Sequence, residues 1–252
     1  MKALFLSTLA LTATVGAAVA ADLPQSYKAP ASAPPAYNWS GVFIGAHGGY
    51  GWGQFQDVSN PDAQAQSTKG GFGGLQIGYN YQPVGSSLVA GVEADVSFGS
   101  IGKTWRAADT SGSPFDPYYG SDKMEMFGTV RGRIGYAFDR VMPYVTGGLL
   151  WSRNRHDLGC DIAVAPAGIS NGCQNRVAAF DVSETKTSLG WVVGAGIESA
   201  IAGNWTARAE YLYGTTDTGT VNLPDPNYPT ARSLRDFDGH VNLVRVGLNY
   251  RF

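Results

Sequence analysis

Two cysteines and three histidines in a 252-residue chain leave little material for metal or nucleophilic chemistry. No C-x-x-C pair or Cys/His cluster is present, which argues against a metal site. Charge is also sparse, at 15% against a usual ~25%. With 18 Lys+Arg against 20 Asp+Glu there is no basic surplus to track a nucleic-acid backbone. A disordered chain carries more net charge and fewer aromatics. Past residue 21 no apolar run approaches the ~18 residues of a membrane-spanning helix. What the chain has instead is glycine, 34 residues, and 12% aromatics within a 44% hydrophobic composition. Gly-rich, aromatic-rich and broken into short apolar stretches, it reads as all-β.

The N-terminus sets the compartment. Lys2 precedes an uncharged Ala-, Leu- and Val-rich segment ending in Ala17-Ala18-Val19-Ala20-Ala21. A short basic start, an apolar stretch and small residues at its end predict a secretory signal peptide over 1–20. Residues 21–37 are Pro-rich with little apolar bulk, which predicts an extended periplasmic linker. The remainder, 38–252, is the folded domain. Secretion permits oxidation, so Cys160 and Cys173, both in one polar stretch, are expected to form a disulfide.

Over 38–252 apolar residues recur with the period of two that marks strands. Eight windows are expected, at 39–53, 71–82, 88–100, 123–138, 143–151, 185–200, from 205 to about 213, and from about 240 to 252. In the third, Leu88, Ala90, Val92, Ala94, Val96 and Phe98 form one face, against Gly91, Glu93, Asp95 and Ser97. In the fourth, Met124, Met126, Val130 and Ile134 oppose Glu125, Thr129, Arg131 and Arg133. The fifth is ambiguous, because Val145, Leu149 and Trp151 compete with Tyr144 and Leu150.

Short connections alternate with long ones. Windows 2–3, 4–5 and 6–7 are nearly contiguous, whereas 54–70, 101–122, 152–184 and 214–239 separate the others. Three short turns at one end and four long loops at the other predict an eight-stranded antiparallel transmembrane barrel with extracellular long loops and both termini in the periplasm. Aromatics cluster at the ends of windows: Tyr79, Tyr81, Tyr136, Phe138, Trp205, Tyr250 and Phe252 near short turns, Tyr50, Trp52, Phe98, Trp151, Tyr211 and Tyr213 near long loops. Two such belts match interfacial girdles. Trp191 falls mid-window. Period two alone also fits a soluble sandwich or lipocalin-like barrel.

With the apolar faces in lipid, the opposite faces line the lumen. Their ionisable residues nearly cancel: Glu93, Asp95, Glu125, Glu198 and Glu210 against Arg131, Arg133, Arg208, Arg245 and Arg251. An unpaired charge in so confined a space is costly, so pairing is expected. The network either plugs the barrel or lines a thin, weakly selective pore. Eight strands leave an interior just wide enough for side chains to fill, which favours the plug.

Catalytic residues are not expected. His47 lies on the lumen face of the first window, His156 beside Asp157 in the third long loop, and His240 at the start of the last strand near Asp236 and Asp238. A rim protease or lipase needs such groups assembled, but no G-x-S-x-G occurs. Gly70-Gly71-Phe72-Gly73-Gly74 precedes no helix, so it is not a phosphate loop. No cofactor is expected.

Several motifs carry a family resemblance. They are Asn38-Trp39-Ser40-Gly41-Val42-Phe43-Ile44-Gly45, Pro143-Tyr144-Val145-Thr146-Gly147-Gly148, the run from Gly190-Trp191 to Ile197-Glu198, Ala209-Glu210-Tyr211-Leu212-Tyr213, and the closing Val246-Gly247-Leu248-Asn249-Tyr250-Arg251-Phe252. The chain resembles small outer-membrane β-barrels of the OmpA-like superfamily, in the alphaproteobacterial RopB-like branch often labelled porin-family. The resemblance implies an outer-membrane location and insertion by the outer-membrane assembly machinery, with Tyr250 and Phe252 as its terminal signal. For such a barrel, contact with outer-membrane lipid and lipopolysaccharide and a monomeric state are expected. Its roles are envelope integrity and surface display with at most weak conductance; a small diffusion porin, or a loop-mediated adhesin or haem-binding surface protein, are the alternatives. No haem-ligand motif is found, and the cysteine pair is not a recognised family feature.

Overall fold

The computed structural model describes residues 37–57, 66–106, 118–160, 180–222 and 234–252. The expected signal peptide and nearly all of the Pro-rich linker lie outside them. Eight strands follow one another: β1 (Gly41–Asp57), β2 (Gln66–Tyr81), β3 (Leu88–Arg106), β4 (Tyr118–Tyr136), β5 (Val141–Cys160), β6 (Phe180–Ala202), β7 (Trp205–Asn222) and β8 (Leu234–Arg251). Each pairs antiparallel with its sequence neighbour, and β8 closes on β1.

The register fixes the barrel's geometry. A hydrogen-bonded row runs from Gly45 to Gln76, Asp95, Thr129, Leu150, Gly190, Thr216 and Gly239, and returns to β1 at Phe55. One circuit therefore advances ten residues along β1, from 45 to 55. Eight strands with that shear tilt by about 40° and enclose a backbone radius of about 8 Å. Each residue then climbs about 2.5 Å along the barrel axis. Roughly ten residues cross an apolar band of about 25 Å, yet β5 has 20 residues and β6 has 23. The barrel wall thus continues well beyond the membrane on the side opposite the short turns.

The short connections are tight. Asp139, at a φ of 52°, sits in the turn closed by reciprocal Phe138 and Val141 backbone bonds of 2.8 and 3.1 Å. Gly203 adopts the same φ of 52° in the turn between β6 and β7.

Apolar side chains face outward. Leu75, Val92, Val130, Ile134, Leu149 and Val246 are each between 58 and 66% exposed, with Ile44, Ile77, Val193 and Leu248 beside them. The fifth window resolves cleanly: Val145 and Leu149 point out, while Tyr144 and Leu150 are buried. Trp191 is no exception to the belt. It pairs with Thr215, and its ring lies 5.8 Å from that of Tyr213 at the outer edge of the apolar band.

Strands run further outward than the alternation suggested. Stretches of their outer halves, such as Ser152 to Asp157 on β5 and Ser183 to Ser188 on β6, are polar on both faces, so no apolar period marks them, but the backbone ladder continues. His156 and Cys160, expected in the third loop, belong to β5, and His240 lies inside β8. Cys173 and the stretches 58–65, 107–117, 161–179 and 223–233 fall outside the described residues.

Candidate functional site: the lumen

Three layers fill the barrel interior. At the short-turn end Trp39, 1% exposed, lies with Val89, Met142 and Tyr144. Its indole N–H donates to the Asp139 carbonyl at 3.0 Å, and its backbone N–H to Gln82 Oε1 at 2.8 Å. The Tyr37 ring meets Trp39 edge-on at 4.9 Å, and the Arg251 guanidinium lies 4.3 Å from the Tyr37 ring centre. The segment before β1 is thereby tied to both neighbouring turns and to the last strand. Glycine makes room on the wall here: a Cβ on Gly196 would stand 2.7 Å from the Tyr144 ring, and one on Gly78 would strike Phe43.

Above this lies an ionic layer. Arg131 on β4 pairs with Glu93, with Glu210 at 2.9 Å and with Asp95 at 3.3 Å. Arg245 on β8 reaches Glu210 at 2.6 Å, Asp95 at 3.2 Å and Glu93 at 3.5 Å. Arg208 on β7 holds Glu93 at 2.7 Å. Arg133 pairs with Glu198 at 2.9 Å and with Glu93 at 3.6 Å. Four arginines face four carboxylates, and every one of these side chains is at most 3% exposed. Neutral groups complete the shell. The Tyr144 hydroxyl donates to Glu210 at 3.2 Å, and Thr206 and Asn249 donate to Glu198 at 2.6 and 2.9 Å. His47 contacts Gln76 and Ser97 at 3.0 and 2.8 Å. Opposed charges of equal number, each held in at least one ion pair, form the arrangement in which buried ions are tolerated, with Asp95 Oδ1, Arg133 Nη2 and Arg208 Nε left without a hydrogen-bond partner among the described residues.

The outer layer is apolar: Phe72, Ile101, Met124, Phe127, Leu150, Val192, Leu212, Val241 and Leu243. Sequence reading assigned Met124 to the lipid face and left the others unassigned. Their signal was weak, because single inward apolar residues alternate with outward ones and erase the period-two contrast. Two irregularities contribute. The β3–β4 register shifts between Phe98 and Ile101, and the β4–β5 register shifts between Met124 and Met126. The second bulge reverses the face of β4, burying Met124 and exposing Glu125. Glu125 is therefore not part of the charge network. Arg251 also stands apart from it, over Tyr37 and Trp39.

The remaining candidates are dispersed. His156 is buried in β5 with Nδ1 2.7 Å from Asp122 Oδ1, so it is not a loop residue available to a ligand such as haem. Cys160 is buried at the end of β5, and among the described residues no cysteine is free. Tyr250 packs edge-on against Phe252 at 5.2 Å and against Trp205 at 5.3 Å in the lower belt. Among the described residues no cluster of His, Cys, Asp and Glu could hold a metal ion.

Comparison with known proteins agrees with this architecture. The outer membrane protein beta-barrel domain family matches residues 7–252. The 31 kDa outer-membrane immunogenic protein of Brucella melitensis is 34% identical over 266 residues, covering 100% of both chains. The 22 kDa outer membrane protein of Rhizobium leguminosarum is 29% identical, covering 86% of this chain and 80% of its own. Among solved structures, OprG of Pseudomonas aeruginosa is similar with a TM-score of 0.46 and 13% identity, over 84% of this chain and 96% of its own. Lipid-facing apolar walls, two aromatic belts and a register-closed barrel meet a family match over nearly the whole chain: the protein belongs to the outer membrane protein beta-barrel domain family and resides in the outer membrane.

Proposed function

We propose that this barrel is a structural element of the outer membrane that supports the envelope and displays surface loops, with at most weak passive conductance and no catalytic step. The observation that carries the reading is the ionic layer, whose arginines and carboxylates are 0–3% exposed between two apolar layers. A lumen of about 8 Å backbone radius has no width left once those side chains fill it. Strands that extend past the membrane carry the loops away from the lipid surface. The Brucella relatives are named immunogenic, which supports a display role.

The same proposal includes a cleaved signal peptide over 1–20, a Pro-rich lead over 21–37, recognition of Tyr250 and Phe252 by the assembly machinery, and a Cys160–Cys173 bridge near the outer rim. Single-channel recording of the purified protein in planar bilayers tests the central function. Insertions without resolved steps support the closed structural barrel. Regular steps in most insertions contradict it and establish a small diffusion porin.

A further inference from the structure

Two of the short turns solve the same backbone problem differently. The β6–β7 turn places Gly203 at a φ of 52°, and the β4–β5 turn places Asp139 at the same value. Glycine adopts that conformation freely, whereas an aspartate there is strained. Asp139 is the one non-glycine with a positive φ among the described residues. Strain of this kind persists where the surroundings demand that residue. What the aspartate adds over glycine is a carboxylate, and Asp139 Oδ1 accepts the Tyr37 backbone N–H at 3.1 Å. The Asp139 carbonyl accepts the Trp39 indole N–H at 3.0 Å.

In the ring of eight strands the β4–β5 turn stands almost opposite β1. Residues 37–40 therefore cross the mouth of the barrel to reach it and do not follow the wall. Trp39 fills the crossing, packed with Val89, Met142 and Tyr144. Tyr144 in turn donates to Glu210 of the ionic layer at 3.2 Å. The ladder between β1 and β2 begins only at Gly41, which pairs with Asn80. Ahead of it the segment is held through side chains. Gln82 Oε1 accepts the Trp39 backbone N–H at 2.8 Å, and Ser40 Oγ accepts the Gln82 backbone N–H at 2.9 Å. Gly41 itself has a φ of 137°, and a Cβ there would stand 2.8 Å from the Phe252 carbonyl oxygen. The crossing arm thus meets the wall at a residue that must be glycine. Hinges are commonly such element-terminal positions, where a large dihedral change is absorbed.

We propose that residues 37–40 are a releasable latch over the mouth at the short-turn end, with Gly41 as its hinge, Trp39 as its stopper and Asp139 as its catch. Closed, the latch keeps water from the lower edge of the ionic layer. There Thr206 and Asn249 bond Glu198, and all three are at most 2% exposed. Swung out about Gly41, it admits water to those groups, while the strand ladder and the arginine–carboxylate pairs above stay in place. Burial of the Trp39 ring makes the closed state the resting one. The latch rests on the closed-lumen reading and adds a movable seal below the fixed ionic one.

Cysteines introduced at two depths test it. Thr206 is the second residue of β7, at the mouth, and Thr146 pairs with Arg133 of the ionic layer. Full-length folded protein in bilayers, carrying Thr206→Cys or Thr146→Cys, is exposed to a membrane-impermeant maleimide, and modification at that position is followed by peptide mass. In the otherwise wild-type chain both react slowly. Asp139→Gly keeps the turn, as Gly203 shows, but removes the catch, and it speeds modification at 206 by about three- to tenfold, the equivalent of one hydrogen bond. Asp139→Asn keeps an acceptor oxygen and leaves the rate slow. Trp39→Ala removes the stopper and speeds it further. Position 146 stays protected throughout, and unboiled SDS mobility shows that each barrel is intact. If Trp39→Ala fails that check, Asp139→Gly, which removes no packing, decides. Equal rates at 206 in Asp139→Gly and wild type, equal acceleration by Asn and Gly, or acceleration at 146 in step with 206 would overturn the latch. Rapid reaction at 206 in the otherwise wild-type chain, with 146 protected, overturns the latch alone. Rapid reaction at 146 in that chain overturns the closed lumen and the latch with it.

Discussion

Arg131 stands between two carboxylates from opposite sides of the barrel, pairing with Glu93 on the adjacent β3 and with Glu210 on β7 at 2.9 Å. A contact between residues 131 and 210 spans the lumen and is possible only because the barrel is narrow. Removing the guanidinium leaves Glu93, Glu210 and Asp95 with an excess of buried negative charge. Breaking a buried pair in this way costs about 3–5 kcal/mol. Arg131→Met should therefore lower the temperature at which the barrel loses its SDS-resistant mobility, and an unchanged transition would show that the pairing contributes nothing.

Trp39 makes a second, separable prediction. It is 1% exposed and bonded through its indole to the Asp139 carbonyl. Trp39→Ala removes a large buried side chain, for which about 3–5 kcal/mol is typical. Trp39→Phe keeps most of the volume and loses the 3.0 Å hydrogen bond, so it should cost only about 1 kcal/mol. Thermal unfolding of the three proteins in one detergent checks the order wild type, Phe, Ala. A Phe variant as unstable as Ala would place the effect in the hydrogen bond and not in packing.

Much of this fold was legible before any coordinates. Leu88 to Phe98 declared a two-faced strand because every even position is apolar, and the alternation of short and long connections gave the antiparallel order. Legibility failed where local rules change within a strand. Nothing in the sequence around Met124-Glu125-Met126 marks the bulge that reverses its face, because a bulge is set by the partner strand's register. His156 read as a loop residue because polar strands carry no hydrophobic period. Leu212 and Leu243 escaped notice as lumen residues, and Leu150 stayed ambiguous, because an inward leucine looks like an outward one until register places it. Trp39 lies ahead of the first strand, and only its contacts with Gln82 and Asp139 identify its place.

The cysteine pair yields a chemical prediction. Cys160 is buried at the end of β5, and a bridge to Cys173 would close a loop worth about 3 kcal/mol in the chain-entropy treatment. Non-reducing peptide mapping should recover the two cysteines in one linked peptide pair. Recovery of both as alkylated thiols from protein kept oxidised would refute the bridge.

Lipid exposure predicts the response to charge on the outer wall. Val145 is 60% exposed in the middle of β5. Val145→Arg should reduce folding into bilayers by about 2–4 kcal/mol, whereas Val145→Leu should leave it unchanged, as read by the folded fraction recovered from urea in lipid vesicles. Equal tolerance of both would place this face in water.

A closed, dry lumen is tested most directly by thiol accessibility at Thr146 and Thr206, which point inward and are 7 and 2% exposed. Each is replaced singly by cysteine, and the folded protein in bilayers is treated with a membrane-impermeant maleimide applied from both sides. With the ionic layer sealing the barrel, both positions stay unmodified until the protein is boiled in SDS and then react fully. Rapid modification of either thiol in the folded, SDS-resistant barrel would mean that water and solutes reach the charge layer, and would contradict the closed lumen.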